Sequence, residues 1–214
     1  MIKHILFDFD GTIADSGEIG LEILNELSDK YKVKKFTKEE LIEINNYPIK
    51  ERFKMLGIPF YKLPKIVIET LSMYKKYISL IKMFHGMDKV LNELKDKGYN
   101  LSIISSNSIE NINFFLEKNK LNIFTHIISA KNIFGKNKTI SSYLKSNNLK
   151  PNEILYVGDE LRDIEACKKV NVKIVAVTWG FDSYELLKKS NPDYLIDNPE
   201  ELINIINNLE NVTQ

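Results

Sequence analysis

Ile2-Lys3-His4-Ile5-Leu6-Phe7-Asp8-Phe9-Asp10-Gly11-Thr12 is the stretch that decides the fold. A short β-branched and aromatic run ends in Asp10-Gly11, the pattern of a strand running into a turn. The pattern returns at residues 101–105, 126–129, 153–157 and 173–178, and more weakly at 194–196. Helical periods lie between these runs, at about 87–97, 109–118, 138–146, 161–169 and 184–189. A last helix is expected from Pro199, with Asn198 as its N-cap. Strands alternating with helices of about ten residues predict βαβ units. The fold class expected is α/β, a doubly wound, mostly parallel, Rossmann-like sheet.

Residues 16–84 break the alternation, with helical signals and no convincing strand. Apolar residues recur three and four apart over 19–27, Thr37-Lys38-Glu39-Glu40 is a capping box, and Pro64 opens a long helix toward 81. The organisation expected is a catalytic core of residues 1–15 and 84–214 with an all-helical cap domain at 16–83. An insert at the C-terminal end of a parallel strand lies where α/β proteins bind ligands. It reads as a lid over a site, against the plainer reading of a structural embellishment.

Composition removes several function classes. The chain has 214 residues and a formal charge of +1, from 30 basic and 29 acidic side chains. That balance argues against nucleic acid or an anionic membrane as partner. Cys167 is the single cysteine, so no intrachain disulfide forms, and a reducing, cytoplasmic setting is expected. Lys3, His4, Asp8 and Asp10 interrupt the first ten residues, leaving no signal-peptide apolar region. Lysine outnumbers arginine 28 to 2, which singles out Arg52 and Arg162.

Chemistry gathers at the strand ends. Asp8 and Asp10, at i and i+2 of a strand, are expected to share a face. Two carboxylates so close suit a nucleophile and a general acid/base, one holding its proton unless a cation intervenes. Gly11 permits a tight turn and Thr12 adds a hydroxyl donor. Gly158-Asp159 repeats the strand-then-acid arrangement, and Asp163 falls one helical turn later. Carboxylates converging with no His or Cys suit a hard cation, Mg²⁺ before zinc. Ser105, Ser106 and Asn107 end another strand, where a hydroxyl beside a helix N-terminus fits a phosphate and Asn107 can cap the helix. Lys136, or Lys138, precedes a further helix and offers a point charge.

These four motifs, in this order, resemble the haloacid dehalogenase superfamily, in particular its phosphoglycolate phosphatase-like branch. The first motif stands as Asp8-Phe9-Asp10-Gly11-Thr12-Ile13-Ala14-Asp15-Ser16, the second as Ser105, the third as Lys136 and the fourth as Gly158, Asp159 and Asp163. The resemblance implies that Asp8 is a nucleophile forming an aspartyl-phosphate, and that Asp10 protonates the leaving alcohol and then activates water. It implies that Thr12, Ser105, Ser106 and Lys136 hold phosphate oxygens. Mg²⁺ would be bound by Asp8, Asp159, the Asp10 backbone and, through water or an outer shell, Asp163. Asn137 stands where this branch usually has proline, which keeps Lys138 in play. Asp10, absent from the family's dehalogenases, favours phosphate chemistry. The function implied is a Mg²⁺-dependent phosphatase acting on a small phosphorylated metabolite of phosphoglycolate or sugar-phosphate type. The alternatives are a phosphomutase or a non-catalytic phosphoprotein-binding module. In the cap, Arg52 is a candidate clamp for a substrate carboxylate, against the plainer reading of a solvated helix face.

Overall fold

Alternation along the opening run puts Ile5 and Phe7 on one face of a strand and Leu6 on the other, and all three are fully buried. A strand apolar on both faces belongs inside a parallel sheet, and β1 (His4–Phe7) lies there. The computed structural model describes residues 1–32, 34–130 and 135–211. After β1 come β2 (Ala14–Asp15), α1 (Gly17–Tyr31), α2 (Lys38–Ile44), α3 (Ile49–Met55), α4 (Leu63–Tyr77) and β3 (Lys82–Met83). Then follow α5 (Met87–Asp96), β4 (Asn100–Ser105), α6 (Ile109–Lys118), β5 (Phe124–Ser129), α7 (Lys136–Ser146) and β6 (Ile154–Gly158). The chain ends with α8 (Leu161–Lys169), β7 (Lys173–Val177), α9 (Tyr184–Lys189), β8 (Tyr194–Ile196) and α10 (Glu201–Asn211).

Six strands form one parallel sheet in the order β5-β4-β1-β6-β7-β8. Ile5, Phe7, Ile103 and Val157 pack with Leu91 of α5, Phe115 of α6 and Leu202 of α10. On the other face Leu6, Ile104, Tyr156 and Ile174 pack with Ile140 of α7, Ile164 of α8 and Leu187 of α9. Helices therefore cover both faces, and the sheet is doubly wound. The chain fills the sheet outward from β1 through β4 to β5, then returns to β1's other side as β6. That reversal opens a crevice at the carboxyl ends of β1 and β6, where open α/β sheets bind ligands.

The helical insertion leaves and rejoins the sheet region through one antiparallel ribbon, in which Ala14 pairs with Met83 and Asp15 with Lys82. β3 is a strand within a stretch expected to hold none. Two residues are too short to show a period. Thr37 caps α2 as expected. Its hydroxyl accepts from Glu40 N at 3.2 Å while the Glu40 carboxylate accepts from Thr37 N at 3.0 Å. The short, charge-interrupted α3 was not expected, and α4 stops at Tyr77, short of 81. In the core, β1 stops at Phe7, before both acids. Helix α7 begins at Lys136, two residues early. Asn198 does not cap α10. Its backbone and side-chain N–H groups both donate to Glu201 Oε1, and the helix starts at Glu201.

Candidate active site

Asp8 is the first residue beyond β1. Its N–H still donates to Val157 O at 2.8 Å, which ties it to the end of β6. One carboxylate oxygen accepts from Phe9 N at 2.7 Å and the other from the Lys136 ammonium. Lys136 is the first residue of α7 and is 2% exposed, and its Nζ also lies 2.5 Å from Asp163 Oδ1. Residues 128 and 27 positions away from Lys136 thus meet on one buried ammonium. Burial opposes the charge on Lys136, but Asp163 and Asp8 outweigh it and hold its pKa above the ordinary lysine value. Burial pushes the Asp163 carboxyl up to about 7 against the pull of Lys136. Lys138 is exposed.

Asp10 has different surroundings from Asp8. Because β1 has ended, the two acids do not share a strand face as expected. The chain turns instead, with Ile13 N and Ala14 N both donating to Phe9 O at 2.9 Å. Asp10 Oδ1 accepts from Ser16 Oγ at 2.8 Å and from the hydroxyl of Tyr74 on α4, and Oδ2 accepts from Asn107 Nδ2 at 2.9 Å. Burial raises the Asp10 pKa against these three donors, and Asp8 adds to the rise. Two acids two residues apart are thereby set to different tasks, one bound to a cation and one held toward its protonated form.

Asp159 follows β6. Oδ1 accepts from Thr12 Oγ1 and Oδ2 from Phe181 N, both at 2.8 Å. Thr12, expected on a phosphate, spends its hydroxyl on Asp159. Gly11 (φ +76°) and Gly180 press against this carboxylate, and a Cβ on either would overlap it. Burial, with Glu160, Asp8 and Asp163 near, drives the Asp159 pKa well above the carboxylate range. Ser105 is 2% exposed and its Oγ accepts from Asn107 N at 3.1 Å. Ser106 Oγ accepts from Arg162 Nη1 at 3.0 Å. Asn107, expected as a helix cap, orients Asp10. The cap of α6 is Ser108, which accepts from Asn111 N at 3.2 Å.

Sequence reasoning missed Tyr74, Asn107 in its observed role, and Glu160. Tyr74 lies on a helix that the sequence gives no reason to aim at Asp10. Glu160 had a usable signal, since it is a third acid beside Asp159 and Asp163. It is buried and paired with Arg162. Arg162 overrides the effect of burial and holds the Glu160 pKa below its ordinary value.

Among the described residues, Asp8, Glu160 and Asp163 bring carboxylate oxygens within 4.8 Å of one another. The oxygens of Asp159 and Asp10 are directed to their own donors. Asp8, Asp163 and Glu160 face the two cations Lys136 and Arg162, and Asp159 lies beside those acids, so four buried carboxylates stand against two cations, a formal excess of two negative charges. Oxygen donors with that excess fit a divalent hard cation such as Mg²⁺.

Arg52, expected as a substrate clamp, is engaged elsewhere. Its guanidinium donates to Tyr47 O at 2.6 Å, to Asn45 O at 3.1 Å and to Asp182. Asp182 also accepts from Leu161 N at 2.6 Å, at the start of α8. Arg52 is therefore turned from the crevice and ties the insertion to the core.

Similarity to known proteins extends over most of the chain's length. The chain is 27% identical over 209 residues to a phosphoglycolate phosphatase of Synechococcus elongatus, covering 97% of this chain and 99% of that one. It is 26% identical over 213 residues to the pyrophosphatase PpaX of Bacillus velezensis, covering 95% and 96%. The crystal structure of a predicted phosphatase from Clostridium acetobutylicum superposes with a TM-score of 0.83 at 25% identity, over 96% of this chain and 98% of that one. The profile of the haloacid dehalogenase-like hydrolases matches residues 5–177, a span that runs from β1 to the end of β7 and holds Asp8, Asp10, Asp159, Glu160 and Asp163. With its strand-end acids, its central parallel sheet and this match over most of its length, the chain belongs to the haloacid dehalogenase-like hydrolase family.

Proposed function

We propose that the protein is a Mg²⁺-dependent phosphatase that hydrolyses a small phosphomonoester through an aspartyl-phosphate on Asp8, with the helical insertion as a cap over the crevice. The observation that carries this reading is Lys136 held between Asp8 and Asp163 at the sheet's reversal point. An ionised carboxylate beside a fixed ammonium is a nucleophile with a counter-charge for the incoming phosphoryl oxygens. Asp10, held toward its acid form by burial, gives its proton to the leaving oxygen as the Asp8–phosphorus bond forms and the ester bond breaks. The Asp10 carboxylate then takes a proton from water, which attacks phosphorus and releases Asp8. Ser105, Ser106 and Lys136 are the proposed phosphate contacts. Asp8, Asp159 and Asp163, with Glu160, would hold Mg²⁺, which supplies positive charge against the phosphate dianion. The lone buried Cys167 fits a cytoplasmic setting.

Hydrolysis of p-nitrophenyl phosphate with Mg²⁺ tests the proposal. Turnover is expected, with Asp8→Asn slower by at least about 10³-fold. Full activity in Asp8→Asn, no turnover across a phosphoester panel, or isomerisation outpacing phosphate release would overturn it.

A further inference from the structure

Two recesses open beside the acids, and they differ in chemistry. One, of about 370 Å³, is lined by Lys136, Lys50, Glu160, Glu165, Lys169 and Asp182 among others, and is strongly charged. The other, of about 350 Å³, lies between the insertion and the core. Its walls are mostly hydrocarbon from α1, α3 and α4, including Ile23, Leu27, Phe53 and Ile66. Of its polar side chains, Ser16, Tyr74 and Asn107 are spent on Asp10 and Ser106 on Arg162, leaving Thr70. Among the described residues, the charged side chains that line it are Asp10 and Arg162. The Arg162 charge faces Glu160, and Arg52, the insertion's only arginine, is absent from the walls.

Asp10 borders the apolar recess and not the charged one. The group that hands a proton to the departing oxygen fixes where the departing group lies, because proton transfer needs hydrogen-bond reach. We propose that the enzyme selects phosphomonoesters whose leaving alcohol is uncharged and mostly hydrocarbon, and discriminates against anionic leaving groups such as glycolate or a second phosphate. This rests on the phosphatase reading and on Asp10 as its acid. A carboxylate driven into these walls would lose its water and find no unpaired cation. Sugar hydroxyls would meet the same walls with few partners. A cavity of about 150 Å³ lined by such side chains holds a benzene ring, so this one takes a chain or ring system of roughly twice that bulk.

The experiment compares ethyl, butyl and hexyl phosphate with 2-phosphoglycolate and pyrophosphate, all with Mg²⁺. The alkyl alcohols leave with similar ease, so chain length reports the recess. The expected result is a rise in kcat/KM of about fourfold per methylene, about 250-fold over the four methylenes from ethyl to hexyl. Phe53→Ala, a half-buried wall residue, is expected to lower the hexyl-to-ethyl ratio about tenfold. Turnover indifferent to chain length, or a preference for 2-phosphoglycolate or pyrophosphate over hexyl phosphate, overturns the selectivity and leaves the phosphatase reading intact. Calorimetric binding of the alkyl series to Asp8→Asn supplies the converse. Affinity that climbs with chain length, beside a wild type that turns over no ester, upholds the selectivity and overturns the phosphatase reading.

Discussion

The sheet and the insertion divide the work between them. The strand ends of the sheet supply charge: Asp8, Asp159, Glu160, Asp163 and Lys136 all come from the core and find most of their partners there. The insertion supplies hydrocarbon walls and two hydroxyls on Asp10, those of Ser16 and Tyr74. Charge needs fixed geometry, which a parallel sheet provides through backbone pairing. Apolar surface is nondirectional and tolerates many helix arrangements. A catalytic centre can thus stay rigid while the surface above it varies.

The largest effect that would break this division is at Lys136. Lys136→Met leaves Asp8 and Asp163 buried without their cation, and turnover should fall by about 10³-fold or more. A loss under tenfold in steady-state kinetics would show that the core's charge is not the source of catalysis. Next comes the tie between the regions. Arg52→Ala breaks a buried ion pair and should destabilise the fold by about 3 kcal/mol, lowering Tm by roughly 6–12 °C. An unchanged Tm in calorimetry would show that the insertion rests on the core without the tie.

The third prediction concerns pH. Burial raises the Asp159 and Asp163 carboxyls in the metal-free fold, the latter to about 7. A raised carboxyl favours the folded state while protonated. Its contribution is therefore full below the unfolded value near 4 and is lost as pH climbs through about 7. Mg²⁺ needs the ionised forms, so its affinity should weaken about tenfold per proton displaced for each pH unit below 7. Titrations at pH 5.5, 6.5 and 7.5 that return one Kd would contradict this. Tyr74→Phe is a smaller change, removing the donor that α4 gives to Asp10. The Asp10 pKa should rise further, moving the alkaline limb of the kcat profile to higher pH, with kcat changed by about three- to tenfold. A limb that stays put would show that α4 does not tune Asp10. The smallest expected effect is at Lys75→Ala, which breaks the exposed Lys75–Glu110 pair between α4 and α6. Tm should move by under about 1 °C, and a larger drop would mean that surface charge also joins the regions.

The same division governed what could be read from the chain. The central strands announced themselves because strands buried on both faces read as apolar runs closed by turn residues, as in residues 153–157 before Gly158, whereas the less buried edge strand β8 read more weakly. The acids were legible because they follow those runs directly. The insertion was legible as helical, through the Thr37 capping box, but its aim was not. Nothing near position 74 says that its hydroxyl reaches Asp10, 64 residues away. Nor does anything near position 52 say that its guanidinium turns to Asp182, 130 residues away. Local periodicity reports which face of a helix is apolar and leaves open what the helix meets. Asn107 was misassigned for a related reason. Helix capping is a local rule, and Ser108 satisfied it first, which freed Asn107 for a distant partner.

The two glycines around Asp159 have a consequence for how the site can drift. The carboxylate is wedged by main chain, Gly11 on one side and Gly180 on the other, with Phe181 N and Thr12 fixing its oxygens. Its aim is set when the chain folds, and in the proposed site it would ask little further rearrangement of an arriving ion. Even one methyl at position 11 or 180 would evict the acid, whereas substitutions across the recess above leave its orientation alone. Under the proposed reading, substrate preference could wander through the helices while the proposed ion seat stays anchored to the backbone of Gly11 and Gly180.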